Sequence, residues 1–386
     1  METVMNKIVI SDGEFKELID IRRHLHANPE TGMELKQTCD YICEQLKKIG
    51  ISYQRYDNSG IIAEIKGTLS DSDEVVMLRA DMDALPIEEK TGLPFASHNG
   101  NMHACGHDLH MTILLGTAHK LFNMKDSFAG TIRLLFQAGE EIGQGGKYLY
   151  ERGAMENVKM GMGIHMDPLR PTGEISAIAG PDWASCDRFK IYIKGKGGHG
   201  AMPHECKDAT VAGAAIVMNM QSIVSRNNDP KKPLVITIGS FHSGTTFNVI
   251  SGEAFLEGTC RCFDEDVYEK LPEMIETVAI NTAQAYGCIA ELKYDRLINP
   301  LINDKDAWAF LKKTCEESDI PFSDRQSEMI AEDFAVYANA APCIFAHLGA
   351  GGHFPLHNPE IIFEEESIKT GIEAEVNFAL NALKQI

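Results

Sequence analysis

Apolar residues in the first half of the chain alternate between helical spacing and short buried runs. Residues 13–25 and 35–49 follow helical spacing, and Gly50 is placed to end the second segment. Helical stretches recur at 108–124 and 146–152. Short apolar runs bounded by glycine or polar residues predict strands at 61–65, 75–78, 131–136 and 161–165. This alternation predicts an α/β sandwich around a mostly parallel sheet.

The pattern changes after Pro181. The order strand, helix, strand, strand, helix, strand is predicted at 188–194, 208–226, 234–240, 248–262, 266–286 and 289–294. That order is typical of a ferredoxin-like α+β unit. Helices at about 304–318 and 366–382 then resume the earlier alternation. We therefore expect one domain made of residues 1–180 and 297–386, with a second domain, 181–296, inserted into it.

Composition and charge narrow the class of protein. The chain has 386 residues, 44% of them hydrophobic, so it can bury a large core. With 36 basic and 56 acidic residues its formal net charge is −20, which opposes binding to nucleic acid or anionic lipid. No run approaches the roughly 18 apolar residues of a membrane span. The 10 cysteines are scattered through the chain, which fits reduced thiols in a reducing compartment. We expect a cytoplasmic protein with no nucleic-acid or membrane partner.

A thiol and an imidazole stand two positions apart just before a predicted helix. Cys105 and His107 would point the same way in an extended loop, because side chains i and i+2 lie on one side. A thiolate and a neutral imidazole suit a divalent ion of the zinc, manganese, nickel or cobalt group. The alternative is a buried loop cysteine beside a histidine that caps the helix.

Two adjacent glutamates follow a predicted buried strand. Glu140 and Glu141 come shortly after Phe136, at the carboxyl end of the strand, where open α/β sheets bind ligands. Adjacent side chains diverge there, so one carboxylate could bind a metal ion while the other faces the attacking water. A solvated pair of loop glutamates is the alternative.

Three further residues are candidates for the same site. His165 ends the predicted strand at 161–165, and His357 lies in a loop near the end of the chain. Either could instead be an ordinary core or surface histidine. Asp83 follows the strand at 75–78 and is a candidate for orienting a metal-binding imidazole. For Asp83 the alternative is an aspartate that caps a turn or a helix.

Motifs spread over nearly the whole chain are similar to those of one enzyme group. They are RRHLHANPE (22–30), RADMDALP (79–86), MHACGHD (102–108), QAGEE (137–141), GKGGHGAMPH (195–204), FNVI (247–250), GTCR (258–261), EDF (332–334) and HNP (357–359). In this order they resemble the hippurate hydrolase, aminoacylase and indoleacetyl-amino-acid hydrolase group. That group belongs to the zinc-dependent exopeptidases related to carboxypeptidase G. So many long motifs in register make the resemblance specific.

The resemblance implies a site with two divalent metal ions per subunit. The ions would be zinc or manganese, with nickel or cobalt as alternatives. Glu140 would be the general base, and Asp83, the candidate for orienting an imidazole, would also belong to the catalytic residues. In the wider clan an aspartate usually bridges the two ions, whereas this branch has a cysteine in its place. The implied metal ligands are Cys105, His107, Glu141, His165 and His357.

The resemblance also implies that the inserted domain acts as a lid and forms a homodimer or a higher homo-oligomer. His199 and Asn248 would contribute to a substrate pocket, with His199 reaching the site of the partner subunit as one option. Arg261 is the candidate for binding the substrate carboxylate, because a guanidinium offers a planar fork of donors. A structural ion pair is the alternative for Arg261.

The implied function is hydrolysis of the amide bond of a small N-acyl amino acid, with an acetyl, benzoyl or similar acyl group. A dipeptidase or aminopeptidase with the same ions and an N-acetyl-diaminopimelate deacetylase are alternatives. A metal-binding protein without activity is a third, although Glu140 would then have little reason to be there. A dinucleotide-binding enzyme is disfavoured, because no Gly-x-Gly-x-x-Gly motif opens a helix after a strand.

Overall fold

The computed structural model of the chain describes residues 7–385, which form two compact units. Unit 1 consists of the described residues up to Asp182, Ile302–Gln326, and the described residues from Asp333 onward. Unit 2 consists of Trp183–Leu301 and the short segment Ser327–Glu332. The sequence prediction put the inserted domain at 181–296. The catalytic and dimerising roles of the two domains stay predictions.

Local sequence signals mark where the helices begin. Ser11 and Glu14 form a capping box at the first helix, and Asp208, Asp264 and Asp304 cap later ones. The α-helices within the described residues are α1 (Asp12–Ala27), α2 (Lys36–Ile49), α3 (His107–Asn123), α4 (Gly145–Tyr150), α5 (Ala209–Ser222), α6 (Glu265–Ala285), α7 (Lys305–Glu317), α8 (Ala335–Ala338) and α9 (Ser367–Gln385). Shorter helical turns are Lys125–Ser127, Pro203–Glu205 and Ile223–Asn227. Every helix predicted from the sequence is present, and none in residues 7–385 has the length and apolar character to cross a bilayer.

The strands of the described residues form one large sheet and three smaller ones. They are β1 (Ser52–Tyr56), β2 (Gly60–Lys66), β3 (Val75–Asp81), β4 (Thr131–Gln137), β5 (Val158–Asp167), β6 (Ile175–Ala177), β7 (Gly180–Trp183), β8 (Cys186–Lys194), β9 (Gly198–His199), β10 (Leu234–Ser243), β11 (Val249–Ile250), β12 (Glu253–Cys262), β13 (Ile289–Ile298), β14 (Leu301–Asn303), β15 (Phe322–Asp324) and β16 (Cys343–Gly349).

The large sheet lies in unit 1 and has the strand order β1-β2-β4-β3-β5-β16-β6-β15. Its central strands β4, β3, β5 and β16 run parallel, which confirms the predicted mostly parallel α/β sandwich. β3 and β16 are buried at every residue, as expected where both faces of a parallel sheet are covered. The carboxyl ends of the parallel strands therefore meet at one end of the sheet, where such folds bind ligands.

Unit 2 has an antiparallel sheet of order β10-β12-β8-β13, accompanied by α5 and α6. This sheet order, with the chain order strand, helix, strand, strand, helix, strand, is the predicted ferredoxin-like arrangement. Phe189, Ile191 and Leu256 of the sheet form a core with Ile216 and Ile275 of the helices. β8 and β12 accordingly alternate buried and more exposed residues.

Several parts of the sheet structure differ from the sequence prediction. The single strand predicted at 248–262 is divided into β11 and β12 by a turn at Gly252. A Cβ atom at Gly252 would lie 2.8 Å from the main-chain nitrogen of Gly197, so the glycine allows two backbones to approach closely. β11 pairs with β9, Val249 opposite His199, instead of continuing β12. Strands β1, β6, β7, β9, β14, β15 and β16 have no counterpart in the prediction.

Candidate metal centre

Several polar residues of unit 1 lie close together at the carboxyl ends of its parallel strands. β3 ends at Asp81, β4 leads into the loop with Glu140 and Glu141, and β5 carries His165 near its end. These strands lie side by side, so residues far apart in the sequence come together at one end of the sheet. His107 joins them at the start of α3.

Cys105 and His107 are joined by a tight turn, and the expectation of an extended loop is wrong. His107 is the first residue of α3, and Gly106 before it has a φ of +86°, in the left-handed region. A Cβ atom at Gly106 would also lie 2.9 Å from Cγ of Met166. Glycine suits both demands because it has no Cβ. The convergence of thiol and imidazole therefore depends on this left-handed glycine.

The five residues predicted as metal ligands lie together in two overlapping groups. Ligand atoms of Cys105, His107 and His165, here called the His165 group, are within 4.8 Å of one another. The same holds for Cys105, Glu141 and His357, the His357 group. Cys105 Sγ is 3.3 Å from His165 Nε2, and Glu141 Oε2 is 3.6 Å from His357 Nε2. Cys105 is common to both groups, as a ligand shared by two ions would be.

Hydrogen bonds determine which nitrogen of each imidazole faces the cluster. His107 Nδ1 is 2.7 Å from the carbonyl oxygen of Asp83, and His165 Nδ1 is 2.8 Å from that of Met166. A carbonyl oxygen only accepts, so in the neutral rings Nδ1 carries the proton and Nε2 keeps a lone pair. Within residues 7–385, His107 Nε2 and Glu141 Oε1 are buried without a hydrogen-bond partner. Such atoms are rare, and these two fit the ligand atoms of a divalent ion.

The carboxylate of Asp83 holds the loop that carries the two glutamates. It accepts hydrogen bonds from the main-chain N–H groups of Glu140 and Glu141, at 3.0 and 3.2 Å. The sequence prediction directed this carboxylate at an imidazole, but it lies 3.7 Å from His107 Nδ1, and the Asp83 carbonyl makes the hydrogen bond. Asp83 therefore contacts both the glutamate loop and an imidazole.

Glu140 lies beside the two ligand groups and is largely shielded from solvent. It is 7% exposed, and its carboxylate is within 4.8 Å of the ligand atoms of His107 and Glu141. It belongs to neither the His165 group nor the His357 group. This position suits a carboxylate that takes a proton from a water molecule at the cluster.

The cluster has more negative than positive charge. Burial alone would lower the pKa of His107, but neighbouring carboxylates, Asp81 foremost, raise it to about 10. Burial raises the pKa of Glu141 to about 7, although His107 acts in the opposite direction. In the metal-free protein, bound protons offset the negative charge of the crowded carboxylates. A divalent cation would offset that charge more strongly. The charge balance therefore fits a metal ion, as the donor atoms do.

His357 reaches the cluster from an unusual backbone conformation. Its φ is +66°, in the left-handed region that residues other than glycine seldom adopt. Its main-chain N–H donates to the carbonyl of Ala104 at 3.0 Å, which ties it to the loop that carries Cys105. Backbone strain of this kind costs about 1–3 kcal/mol and is concentrated at functional sites. The His357 side chain is 52% exposed, so it is the solvent-facing member of its group.

Three predicted site residues belong to unit 2. His199 lies on β9 and is exposed, and its Nδ1 accepts a hydrogen bond at 3.1 Å from the N–H two residues later. In the neutral ring the proton is therefore on Nε2, which can donate. The carbonyl of Asn248 accepts a hydrogen bond from Gly200 at 2.9 Å. Arg261, on β12, donates to the carbonyl of Met329 at 3.4 Å.

A buried ion cluster next to the site has no counterpart in the sequence prediction. Asp108 follows His107 and lies 3.0 Å from Arg22 Nε and 2.7 Å from His26 Nδ1. His26 Nε2 is also 3.1 Å from Glu89 Oε1. Burial opposes the charge of Asp108, but Arg22 and His26 hold its pKa well below the usual range. In the sequence, the i,i+4 spacing of Arg22 and His26, which places both on one face of α1, could have indicated this cluster.

A parallel α/β sheet whose strand ends gather thiol, imidazole and carboxylate groups is typical of a metal-dependent hydrolase. The sequence model of peptidase family M20/M25/M40 matches residues 77–381. This chain belongs to that family. It is a hydrolase that acts on carbon–nitrogen bonds.

Curated relatives are similar to nearly the whole chain. An N-acetyl-L-cysteine deacetylase from Bacillus subtilis is 38% identical over 355 residues, which cover 92% of this chain and 85% of that protein. An N-acetyldiaminopimelate deacetylase from Oenococcus oeni is 35% identical over 382 residues, which cover 96% of this chain and 99% of that protein.

A solved structure shares the fold. The crystal structure of a Bacillus subtilis protein, described as a dinuclear metal-binding peptidase of the M20 family, has a TM-score of 0.87 and 33% identity. The match covers 97% of this chain and 100% of that one. The narrower resemblance to hippurate and indoleacetyl-amino-acid hydrolases stays a prediction.

Proposed function

We propose that this chain hydrolyses the amide bond of small N-acyl amino acids, releasing a carboxylic acid and a free amino acid. The observation that carries the proposal is the pair of donor groups that share Cys105, with Glu140 beside them. They offer two cation sites and a separate base, which hydrolysis by an attacking water needs. The N-acetylated substrates named for two relatives support this substrate class.

Two divalent ions per subunit fit the donor atoms. The His165 group offers one thiolate and two imidazoles, and the His357 group offers the same thiolate, a carboxylate and an imidazole. Zinc suits both sets, and manganese, nickel and cobalt are alternatives. When bound, the ions supply Lewis acidity that polarises the amide and eases ionisation of water. The proposed ligands are Cys105, His107, Glu141, His165 and His357.

Glu140 acts first as a general base and then as a general acid. Its carboxylate takes a proton from the attacking water while the water oxygen bonds to the amide carbon. Glu140 then gives the proton to the amide nitrogen as the carbon–nitrogen bond breaks. Asp83 assists by holding the main chain of Glu140 through the 3.0 Å hydrogen bond, so that the base stays in place for both transfers.

Residues of unit 2 would bind the substrate. The Nε2–H of His199 is a suitable donor to the oxyanion that develops on the substrate carbonyl. Asn248 would line the pocket, and Arg261 would bind the substrate carboxylate through its planar donor fork. We also propose that unit 2 forms a homodimer or a higher homo-oligomer.

A panel of substrates assayed with metal-loaded and metal-free protein tests this function. Protein loaded with zinc or with manganese should release amino acids from N-acetyl and N-benzoyl amino acids. Dialysis against a chelator should abolish the release, and added metal should restore it. Metal-free protein that hydrolysed the panel at the full rate would contradict the proposal.

Glu140→Gln tests the assigned base. The variant should lose about 10²–10⁴-fold in kcat, because an amide cannot take the proton, while metal content stays the same. Glu151→Gln is a matched control, since Glu151 is 57% exposed at the end of α4 and should keep full activity. Equal activity of Glu140→Gln and wild type would refute the assignment of the base.

Two related activities are the alternatives. The relative from Oenococcus oeni favours an N-acetyldiaminopimelate deacetylase, and the family also includes peptidases. Side-by-side values of kcat/KM for N-acetyl-diaminopimelate, other N-acetyl amino acids and plain dipeptides separate the three. A clear preference for unmodified dipeptides would favour the peptidase over the acyl amino acid hydrolase.

A further inference from the structure

A third buried imidazole lies next to the candidate metal centre. His110 follows His107 by one turn on α3 and is 3% exposed. Its ring centroid is 4.9 Å from that of His165 and 5.2 Å from that of His107. Possible ligand atoms of Asp81, His107 and His110 are also within 4.8 Å of one another. His110 is therefore either a ligand itself or a partner of the ligands.

Protein hydrogen bonds occupy both ring nitrogens of His110. The main-chain N–H of Met166 donates to His110 Nε2 at 2.9 Å, which uses the lone pair of that nitrogen. The proton of the neutral ring is then on Nδ1, which donates to Asp81 Oδ1 at 2.5 Å. His107 differs, because its Nε2 has no hydrogen-bond partner within residues 7–385. His110 is thus a partner of ligands, not a ligand.

Met166 connects His110 to one of the proposed ligands. The N–H of Met166 is bound by His110, and the carbonyl of Met166 accepts the Nδ1–H of His165 at 2.8 Å. The peptide groups on both sides of Met166 are therefore held in place. His165 is turned so that its Nε2 lies 3.3 Å from Cys105 Sγ. The bond from Met166 to His110 thus helps to set the direction of His165.

Asp81 gives His110 a fixed anchor. Asp81 Oδ2 accepts a hydrogen bond from Arg79 Nη1 at 2.7 Å, and both side chains are almost fully buried. Arg79 also donates to Asp333 Oδ1 at 2.8 Å and to Gln137 Oε1 at 3.0 Å. The network immobilises one oxygen of Asp81 and directs the other at His110. Residues that orient metal ligands commonly have partners of this kind.

We propose that Asp81 and His110 are a positioning pair that orients His165 and thereby sets the affinity of one of the two metal sites. The inference rests on the proposed function, because it requires a cluster that binds two ions. The pair acts on the His165 group. The His357 group lacks His165 and should depend on the pair much less.

Two substitutions separate the two hydrogen bonds of His110. In His110→Gln the amide oxygen can replace Nε2 as the acceptor for Met166, whereas His110→Asn can keep the donor to Asp81 but leaves the Met166 N–H unpaired. Calorimetric titration of metal-free protein with Mn²⁺ or Co²⁺ gives the affinity for each ion. We expect His110→Asn to weaken one ion by about 10–100-fold and to leave the other unchanged. His110→Gln, which keeps the acceptor for Met166 but loses the donor to Asp81, should recover part of that loss.

Further measurements exclude a general loss of structure. His119→Asn makes the same change on the same helix at a partly exposed position, and both ions should bind as in wild type. Asp81→Asn tests the pair from the other side and should weaken the same ion as His110→Asn. In the folded His110 and Asp81 variants, kcat should fall more than KM changes, and the Co²⁺ absorption spectrum should change.

The outcomes separate this inference from the function on which it rests. Equal weakening of both ions, unchanged binding in His110→Asn, or no recovery in His110→Gln would overturn the positioning role. A wild-type protein that bound fewer than two ions would count against the proposed function itself.

Discussion

The site residues predicted in unit 1 and those predicted in unit 2 differ in how they are held. In unit 1, His107 and His165 are 1% exposed or less, and each has one ring nitrogen bonded to a main-chain carbonyl. In unit 2, His199 is exposed, and the hydrogen bond to its ring comes from a neighbouring N–H of the same turn. Arg261 makes a long 3.4 Å contact with a carbonyl.

The difference corresponds to two kinds of task. A metal site requires donor atoms within a few tenths of an ångström of fixed positions, and burial with hydrogen-bonded partners provides that. Groups that receive a substrate have to be reachable from solvent. We therefore expect changes at the buried proposed ligands of unit 1 and at their hydrogen-bond partners to alter metal content, and changes at the exposed residues of unit 2 to alter turnover alone.

The largest effect is expected at Cys105. Because Cys105 belongs to both donor groups, Cys105→Ala should leave fewer than one ion per subunit and remove detectable hydrolysis of N-acetyl amino acids. Cys105→Asp should restore part of both, since a carboxylate also binds such ions. Elemental analysis and the hydrolysis assay measure the two effects.

Cys315→Ala is the matched control for that prediction. Cys315 is also buried, on α7, and burial raises its pKa to about 12, so its thiol stays protonated. This variant should bind both ions, with at most some loss of stability. Two bound ions in Cys105→Ala would remove the distinction between Cys105 and an ordinary core cysteine.

The next effect is expected at His199 in unit 2. His199→Ala should lower kcat by about 10²–10³-fold, the usual result of losing an oxyanion donor. Metal content and the melting temperature should not change, because the side chain is exposed. His199→Gln, which keeps an N–H donor, should recover part of the rate, and His242→Ala, at another exposed histidine of unit 2, should have no effect. Loss of metal in His199→Ala would contradict the comparison between the units.

A smaller effect is expected at Asp83. Asp83→Asn replaces one of the two oxygens that accept N–H groups of the glutamate loop, so kcat and metal affinity should each fall by about 10–100-fold. Asp304→Asn is the control, because Asp304 also accepts two main-chain N–H groups, at the start of α7, where asparagine caps equally well. Equal behaviour of the two variants would show that Asp83 has only a local structural role.

The sequence could predict the elements of the fold because their signals are local. Gly50, with a φ of +96°, ends α2 where the sequence places the end. Strand β16 has a similar local signal, a short apolar run between Pro342 and Gly349, although the prediction did not include it. Its place beside β5 has no local signal, because it depends on contacts between residues far apart in the chain, such as Cys343 opposite Gly161.

The candidate site was predictable in residue type but not in geometry. Cys105, Glu140 and their neighbours stand in motifs at the ends of predicted strands. The left-handed Gly106, the conformation of His357 and the hydrogen bond from His110 to Asp81 depend on how separate elements meet. These contacts between separate elements leave no pattern in residue spacing, so the positioning pair could not be predicted from the sequence.

Glu375 shows that burial of a carboxyl group does not by itself indicate function. It lies on α9, is 2% exposed, and its Oε2 has no hydrogen-bond partner within residues 7–385. Burial raises the pKa of Glu375 to about 8, with Thr117 acting weakly in the opposite direction. Asp81 is just as buried, but Arg79 and two imidazoles keep its pKa well below the usual range. Replacing the carboxyl group by a neutral amide should therefore stabilise the folded protein at Glu375 and destabilise it at Asp81.

The smallest effect on turnover is expected for Glu375→Gln, which should instead change how stability depends on pH. Folded wild type keeps a proton on Glu375 that the unfolded chain releases above pH 4.5, so its stability falls as pH rises from 4.5 to about 8. At about 1.4 kcal/mol per pKa unit, the loss is on the order of a few kcal/mol. Glutamine does not titrate, so the variant should gain in melting temperature over wild type as pH rises through that window, with unchanged kcat.

Glu366→Gln, at a carboxylate that is 62% exposed just before α9, should show no such growing difference. A constant difference in melting temperature between Glu375→Gln and wild type from pH 5 to 8 would mean that Glu375 is ionised in the folded protein. In that case Glu375 would not differ in ionisation from the carboxylates of the site, although it is buried without their partners.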